Sequence, residues 1–254
     1  MPLVLPLIDF ERAEDQAALD AALDKLESGF FDWLVISSIT TLRVLMEKAD
    51  ARGTAVSDLV PPATRVATIG PSSKKVLEAA GLVVSLAPTD VQSAEGLLAL
   101  WQPSGERVLL PQADIAAPAL REGLRAKGAL LTVVTAYNTV DYPARDERKL
   151  TAEAPSAVEP SDAWTPQELE PAAAKAAILD GGLDAIVAAS PSAARRIAAT
   201  LQPLGSCSLV AIGRPTAAEA TRLGLPVAAV AKEPTPDGIA TALESVFANE
   251  GNIQ

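Results

Sequence analysis

Four short clusters of hydroxyl and glycine residues carry most of the chemistry this chain can offer: Ser37-Ser38-Ile39-Thr40, Gly70-Pro71-Ser72-Ser73, Ser190-Pro191-Ser192 and Gly213-Arg214-Pro215-Thr216. Each follows an apolar run of strand character and precedes a stretch with helical spacing. A helix start presents up to four N–H groups without intrahelical acceptors, together with a partial positive charge. A hydroxyl at such a start either caps its own helix or donates to a ligand oxygen. Gly70 and Gly213 let the backbone approach a ligand closely, and Pro71 or Pro215 suits a first helical turn. One junction alone reads as a plain N-cap. Four, two in each half of the chain, point to a ligand with many carboxylates or phosphates. A charge-assisted hydrogen bond contributes roughly 1.5–3 kcal/mol, so several could hold a polyanion without a basic patch.

Tyr137 stands at the end of the apolar run Leu130–Ala136, where the chain leaves its first half. The chain has no histidine, which excludes imidazole-based triads, metal sites and proton shuttles. A tyrosine facing a ligand cleft is then the best candidate for a general acid, and a packed hinge aromatic is the alternative. Lys74 and Lys75 oppose the dipole of the helix they begin, so they are expected to face solvent or an anion. Asp114 reads as a helix N-cap. The single cysteine, Cys207, borders a predicted strand and reads as buried and structural. No phosphate loop, zinc spacing or dinucleotide glycine signature is present.

The elements that must position these residues repeat. Phe31-Asp32-Trp33-Leu34-Val35-Ile36-Ser37-Ser38 returns as Leu183-Asp184-Ala185-Ile186-Val187-Ala188-Ala189-Ser190. Val66-Ala67-Thr68-Ile69-Gly70-Pro71 returns as Leu209-Val210-Ala211-Ile212-Gly213-Arg214, and Ser93-Ala94-Glu95-Gly96 as Thr235-Pro236-Asp237-Gly238. Strand and helix patterns alternate from end to end, so the predicted class is α/β. It has two similar, doubly wound, parallel-sheet lobes of flavodoxin-like kind, with the active site in the cleft between them. The first lobe is expected over 10–140. The second combines 1–9 with 141–254, with Leu3–Ile8 as a strand added to its sheet and a proline-rich connection from Pro143 to Pro171. A helix is expected over Ile115–Lys127. The second lobe is one strand–helix unit short.

Of the 254 residues, 49% are apolar but only 4% aromatic, so Ala, Val and Leu must fill the core. The formal charge of -11 argues against a nucleic-acid partner and against a basic funnel for polyanions. The opening residues lack the basic flank and length of a signal peptide or membrane span. With one cysteine, this pattern is expected of a cytoplasmic protein without membrane attachment.

Taken together, Asp32-Trp33-Leu34-Val35-Ile36-Ser37-Ser38, Val66-Ala67-Thr68-Ile69-Gly70-Pro71, Arg107-Val108-Leu109-Leu110-Pro111-Gln112-Ala113-Asp114, Ala136-Tyr137-Asn138-Thr139-Val140, Ala189-Ser190-Pro191-Ser192-Ala193 and Ala211-Ile212-Gly213-Arg214-Pro215-Thr216-Ala217 resemble the uroporphyrinogen-III synthase family. The order of these segments covers almost the whole chain. The resemblance implies a hydro-lyase that closes hydroxymethylbilane to uroporphyrinogen III with inversion of ring D and loss of water. It implies Tyr137 as the catalytic group helping the substrate hydroxyl to leave. Amides and hydroxyls at Ser37, Ser38, Thr40, Gly70, Pro71, Ser72, Ser190, Ser192, Ala193, Gly213, Pro215 and Thr216 would hold the carboxylates. It implies no metal or organic cofactor, a monomer, and a transient hand-over of substrate from hydroxymethylbilane synthase.

The chain departs from the family pattern in three ways. A first strand and helix are absent before Leu3, which suggests a late start site or a truncated chain; Gln112 stands where arginine is common; and Arg214 interrupts the second Gly-Pro-Thr-like turn and partly replaces that cation. The rival reading is a non-catalytic tetrapyrrole- or polyanion-binding module on the same fold. A bilobal solute-binding protein is a more distant rival.

Overall fold

The computed structural model describes residues 1–102, 104–155 and 167–250. They form a mixed α/β fold with parallel sheets. In order, the elements are β1 (Leu3–Val4), β2 (Ile8–Arg12), α1 (Gln16–Glu27), β3 (Trp33–Ile36), α2 (Ile39–Ala51), β4 (Arg65–Thr68), α3 (Pro71–Ala79), β5 (Val84–Leu86), α4 (Ala94–Leu100), β6 (Arg107–Ala113), α5 (Ala119–Ala126) and β7 (Leu130–Asp141). There follow β8 (Gln167–Glu168), α6 (Pro171–Leu179), β9 (Ala185–Ala188), α7 (Pro191–Thr200), β10 (Ser208–Ala211), α8 (Arg214–Arg222), β11 (Val227–Val230) and α9 (Pro236–Glu250). Among the described residues no helix is long and apolar enough to cross a membrane.

The chain divides into two compact units. One is Asp9–Val140 with Ala144–Ala163; the other is Met1–Ile8 with Asp141–Pro143 and Trp164–Gln254. In the first, six strands lie in the order β2-β7-β6-β3-β4-β5. The pairs β3/β4, β3/β6, β4/β5 and β6/β7 are parallel. Strand alternation sorts the core onto two faces. Leu34 and Ile36 of β3 join Leu19, Leu23, Leu42, Leu45 and Leu77 from α1, α2 and α3. Trp33 and Val35 join Leu97 of α4, Trp101, and Leu120 and Leu124 of α5 on the other face. A sheet covered on both faces needs the near-continuous apolar strands seen here. Helix α5 starts later than the expected Ile115, because Pro118 disfavours helical backbone at Ala117.

In the second unit β11, β10 and β9 form a parallel sheet with Ile186, Ala188 and Leu209 packed on one face and Val210 on the other. The expected strand Leu3–Ile8 does not join it. Pro6 cannot donate to a ladder and splits the run: Leu3–Val4 pairs with Gln167–Glu168, while Ile8 begins β2 of the six-stranded sheet. Leu5 and Leu7 still pack against the second unit's core.

The proline-rich stretch also differs from a plain connection. Its residues 144–155 lie along the first unit, held by buried Glu11. That carboxylate is 2% exposed and accepts from Arg145 Nε at 2.9 Å and Nη2 at 2.6 Å, with Arg148 3.5 Å away. A sealed carboxylate demands such partners. Leu150 enters the core, and Arg43 donates to the carbonyls of Leu150 and Ala152 at 3.1 and 2.7 Å. Pro160 and Pro166 lie outside the described residues.

The third repeated segment has a steric cause. In α4, Ser93 Oγ accepts from Gly96 N, and a Cβ on Gly96 would lie 1.7 Å from Val91 O. In α9, Thr235 Oγ1 accepts from Gly238 N, and a Cβ there would lie 2.3 Å from Glu233 O. Both turns fold a backbone carbonyl onto the helix where a side chain would stand.

Two expectations follow. Gly96→Ala should lower unfolding free energy by roughly 1–3 kcal/mol in denaturant melts, although alanine favours helices, because backbone must move to admit the methyl group. A neutral or stabilising effect would contradict this packing. Glu11 titrates near 4.5 when unfolded but is held down to about 2 in the fold, chiefly by its hydrogen bonds to Arg145. Its stabilisation is therefore complete above pH 4.5 and lost as pH falls toward 2. Thermal melts across that window should show a shallower pH dependence for Glu11→Gln than for the parent.

Candidate active site

In the first unit, β3 has β4 on one side and β6 on the other. The chain therefore leaves β3 at the point where strand order reverses, and open parallel sheets bind ligands outside the C-terminal strand ends at such points. Ser37 and Ser38 stand there. Ser38 is the N-cap of α2, its Oγ accepting from Thr40 N at 3.1 Å. Thr40 is nearly buried. On the adjoining strand end Thr68 Oγ1 donates to Ile36 O at 2.7 Å and ties the two junctions together.

Tyr137 does not end its strand. β7 runs on to Asp141, and Tyr137 reaches the site through an irregularity in pairing. Gln112 opposes Thr135, but Ala113 opposes Tyr137, so Ala136 is an extra residue on β7. The bulge breaks the two-residue alternation, and Ala136 and Tyr137 both enter the same core. The phenol donates to Ser38 Oγ at 3.0 Å, and the ring meets Phe10 edge-on at a centroid distance of 5.4 Å. Burial pushes the phenol above its ordinary value. The hydroxyls of Ser38 and Thr40 oppose the rise and the Asp114 carboxylate adds to it. The phenol thus keeps its proton at neutral pH.

Asp114 is not a helix cap. Its backbone N donates to Tyr137 O at 3.0 Å, and its carboxylate accepts from Thr139 N at 2.8 Å. It clasps β7 on both sides of Asn138. The role is invisible in sequence, because Asp followed by a helical pattern is also what an N-cap looks like.

Gly70 precedes α3 without a side-chain cap, and Pro71 is the first helical residue. A Cβ on Gly70 would come 3.2 Å from Gln92 Cβ, so glycine there serves close packing against Gln92. Ser72 is exposed, and Lys74 turns to Glu78 of its own helix at 3.7 Å. Gln112 is buried within β6.

The second unit repeats the arrangement on neighbouring strands. Ser190 caps α7, its Oγ accepting from Ala193 N at 3.0 Å and lying 2.9 Å from Ser192 Oγ. Ala193 N is therefore already satisfied, and a ligand reaching it must displace the cap. Gly213 precedes α8 in extended backbone, with only Pro215 Cδ within 4 Å of where a Cβ would stand. Arg214 is exposed in the first turn. Thr216 is 2% exposed, yet its hydroxyl oxygen is not sealed from solvent among the described residues. Cys207 is buried, which raises its thiol as expected of a structural cysteine. A separate groove of about 400 Å³ lined by Arg12, Glu47, Lys48 and Thr151 contains none of the junction residues.

The sequence matches the family model described as Uroporphyrinogen-III synthase HemD over residues 1–241. The chain belongs to the uroporphyrinogen-III synthase family. Members of this family are cyclising lyases of tetrapyrrole biosynthesis, and that is the activity of this chain. No curated protein sequence matches it. Its fold is similar to that of a mutant uroporphyrinogen III synthase from the extremely thermophilic bacterium Thermus thermophilus, at 16% identity and a TM-score of 0.60, covering 98% of this chain and 90% of that one. It is also similar to uroporphyrinogen-III synthetase from Helicobacter pylori 26695, at 14% identity and a TM-score of 0.59, over 94% and 91% of the two chains. Likeness at such identity speaks for the fold, and the family match carries the activity.

The Ser190 cap generates a direct test. Ser190→Ala leaves Ala193 N without its acceptor and should lower stability by roughly 0.5–2 kcal/mol in urea melts, whereas Ser192→Ala should be near neutral. Equal effects would show that the hydroxyl pair shares the capping duty.

Proposed function

We propose that this member of the uroporphyrinogen-III synthase family takes hydroxymethylbilane, removes its hydroxyl as water, and closes the macrocycle to uroporphyrinogen III with ring D inverted. The hydrogen bond between Tyr137 and Ser38 at the C-terminal strand edge carries this reading. It supports a neutral acid, held protonated by burial, beside a helix start suited to anions. Water loss leaves an azafulvene; ring D attacks its electron-poor methylene carbon to give a spiro intermediate, which fragments and closes again. Holding one conformation of that reactive species is the larger part of the task, since closure without inversion needs little assistance.

In this reading the substrate's carboxylates lie on helix N-termini. Ser37, Ser38, Thr40, Gly70, Pro71 and Ser72 serve from one unit, and Ser190, Ser192, Ala193, Gly213, Pro215 and Thr216 from the other. The duplicated sequence supports both sets acting on one ligand, as two flavodoxin-like lobes built on the two compact units, with 144–155 belonging to the first. Arg214 adds a cation to the second set. The protein works in the cytoplasm as a monomer, without metal or organic cofactor, and receives substrate from hydroxymethylbilane synthase.

The test is to supply hydroxymethylbilane and separate the type I and type III products. Tyr137→Phe should slow type III formation roughly 10²-fold while leaving stability nearly unchanged, within the usual range for a general acid. Tyr137→Ala should be equally slow. Parental turnover in Tyr137→Phe with a slow Tyr137→Ala would assign the ring to packing.

A further inference from the structure

Tyr137 is 5% exposed, and its ring lies between Phe10 and the start of α2. Its O–H is already engaged, donating to Ser38 Oγ at 3.0 Å. Ser38 is half-buried, and its Oγ also accepts from Thr40 N at 3.1 Å. A hydroxyl oxygen has two lone pairs and one proton. With both lone pairs taken by inward-facing donors, the proton of Ser38 is directed away from them. Among the described residues no side-chain or backbone acceptor for it is found. The buried phenol cannot meet a large substrate as directly as the half-buried serine it touches.

We propose that Ser38 is the group that delivers the proton to the departing hydroxyl, with Tyr137 behind it as the second member of a two-hydroxyl relay. The proposal rests on the reading that Tyr137 supplies the acid. As the substrate C–O bond breaks, its electron pair leaves with oxygen, which takes the Ser38 proton and departs as water. The pyrrole nitrogen's lone pair fills the electron deficit at carbon. Ser38 Oγ takes the Tyr137 proton as its own leaves, so no serine alkoxide forms. Ring closure expels one proton from the attacked pyrrole carbon. That proton returns through Ser38 to the phenolate, and the pair ends each turnover as it began.

The discriminating variant is Ser38→Asn. Asparagine is as good an N-cap as serine and can accept from both Thr40 N and Tyr137, but an amide does not pass a proton on. Single-turnover type III formation should fall roughly 10²-fold in Ser38→Asn, with a melting profile close to the parent's. The double variant Ser38→Asn with Tyr137→Phe should be no slower than either alone, since both lie on one path. Ser38→Thr, which keeps cap and hydroxyl, should recover most of the rate. On the parent enzyme, the rate against deuterium fraction should bow, as two protons in flight require. A straight line, additive losses, or a parental rate in Ser38→Asn beside a slow Tyr137→Phe would overturn the relay and leave Tyr137 as a direct acid. A parental rate in Tyr137→Phe would overturn the parent reading and the relay with it.

Discussion

Strand β3 hydrogen-bonds to β4 on one flank and β6 on the other, and both pairings run parallel. Parallel pairing aligns the C-terminal ends of all three strands, and reversal of strand order at β3 leaves a gap there that no crossover fills. The start of α2, the start of α3 and the bulged part of β7 all open onto this edge. Shifting any one strand would separate Ser38 from Tyr137, because the 3.0 Å contact between them spans two strand positions. The two apolar faces of the sheet hold that register. A slip of one residue would exchange Leu34 and Ile36 for Trp33 and Val35 between differently shaped cores.

A protein with a formal charge of -11 binding an anionic substrate needs local solutions. Most arginines here serve the fold. Arg12, Arg52, Arg145, Arg148, Arg195 and Arg222 are paired with carboxylates, and Arg43 is turned to backbone carbonyls. Apart from Arg214, the junctions offer neutral donors. Neutral donors fixed by helix geometry cost little reorganisation and attract charge only at short range. Affinity built that way depends less on salt than affinity built on lysine and arginine.

The strand–helix alternation and the junctions were legible in the sequence because both are local. An apolar run followed by Ser, Pro or Gly and then helical spacing has few other meanings, and Ser38 and Ser190 do cap α2 and α7. What escaped was set by pairing between distant segments. The bulge at Ala136 exists only opposite Gln112 and Ala113, so no window on β7 reveals that Tyr137 turns toward Ser38. Asp114 looked like a cap because its partner, Thr139, lies on another strand. Leu3–Ile8 looked like one strand because its apolar pattern is unbroken except at Pro6. The stretch 144–155 looked like a linker because its anchor, Glu11, stands far away in sequence.

Ser38 Oγ is a single atom with two employers. It closes the first turn of α2 through Thr40 N and receives the phenol of Tyr137. Alanine there forfeits both functions. Asparagine keeps the turn and can still accept from the phenol but has no hydroxyl proton to pass on, and among the common residues only threonine offers the same oxygen with the same proton. Under the proposed relay, neutral drift at position 38 is confined to almost a single step. A catalytic hydroxyl standing apart from the secondary structure could wander under selection for activity alone. Under the proposed relay, a single mutation at position 38 removes the helix cap and the proton path together.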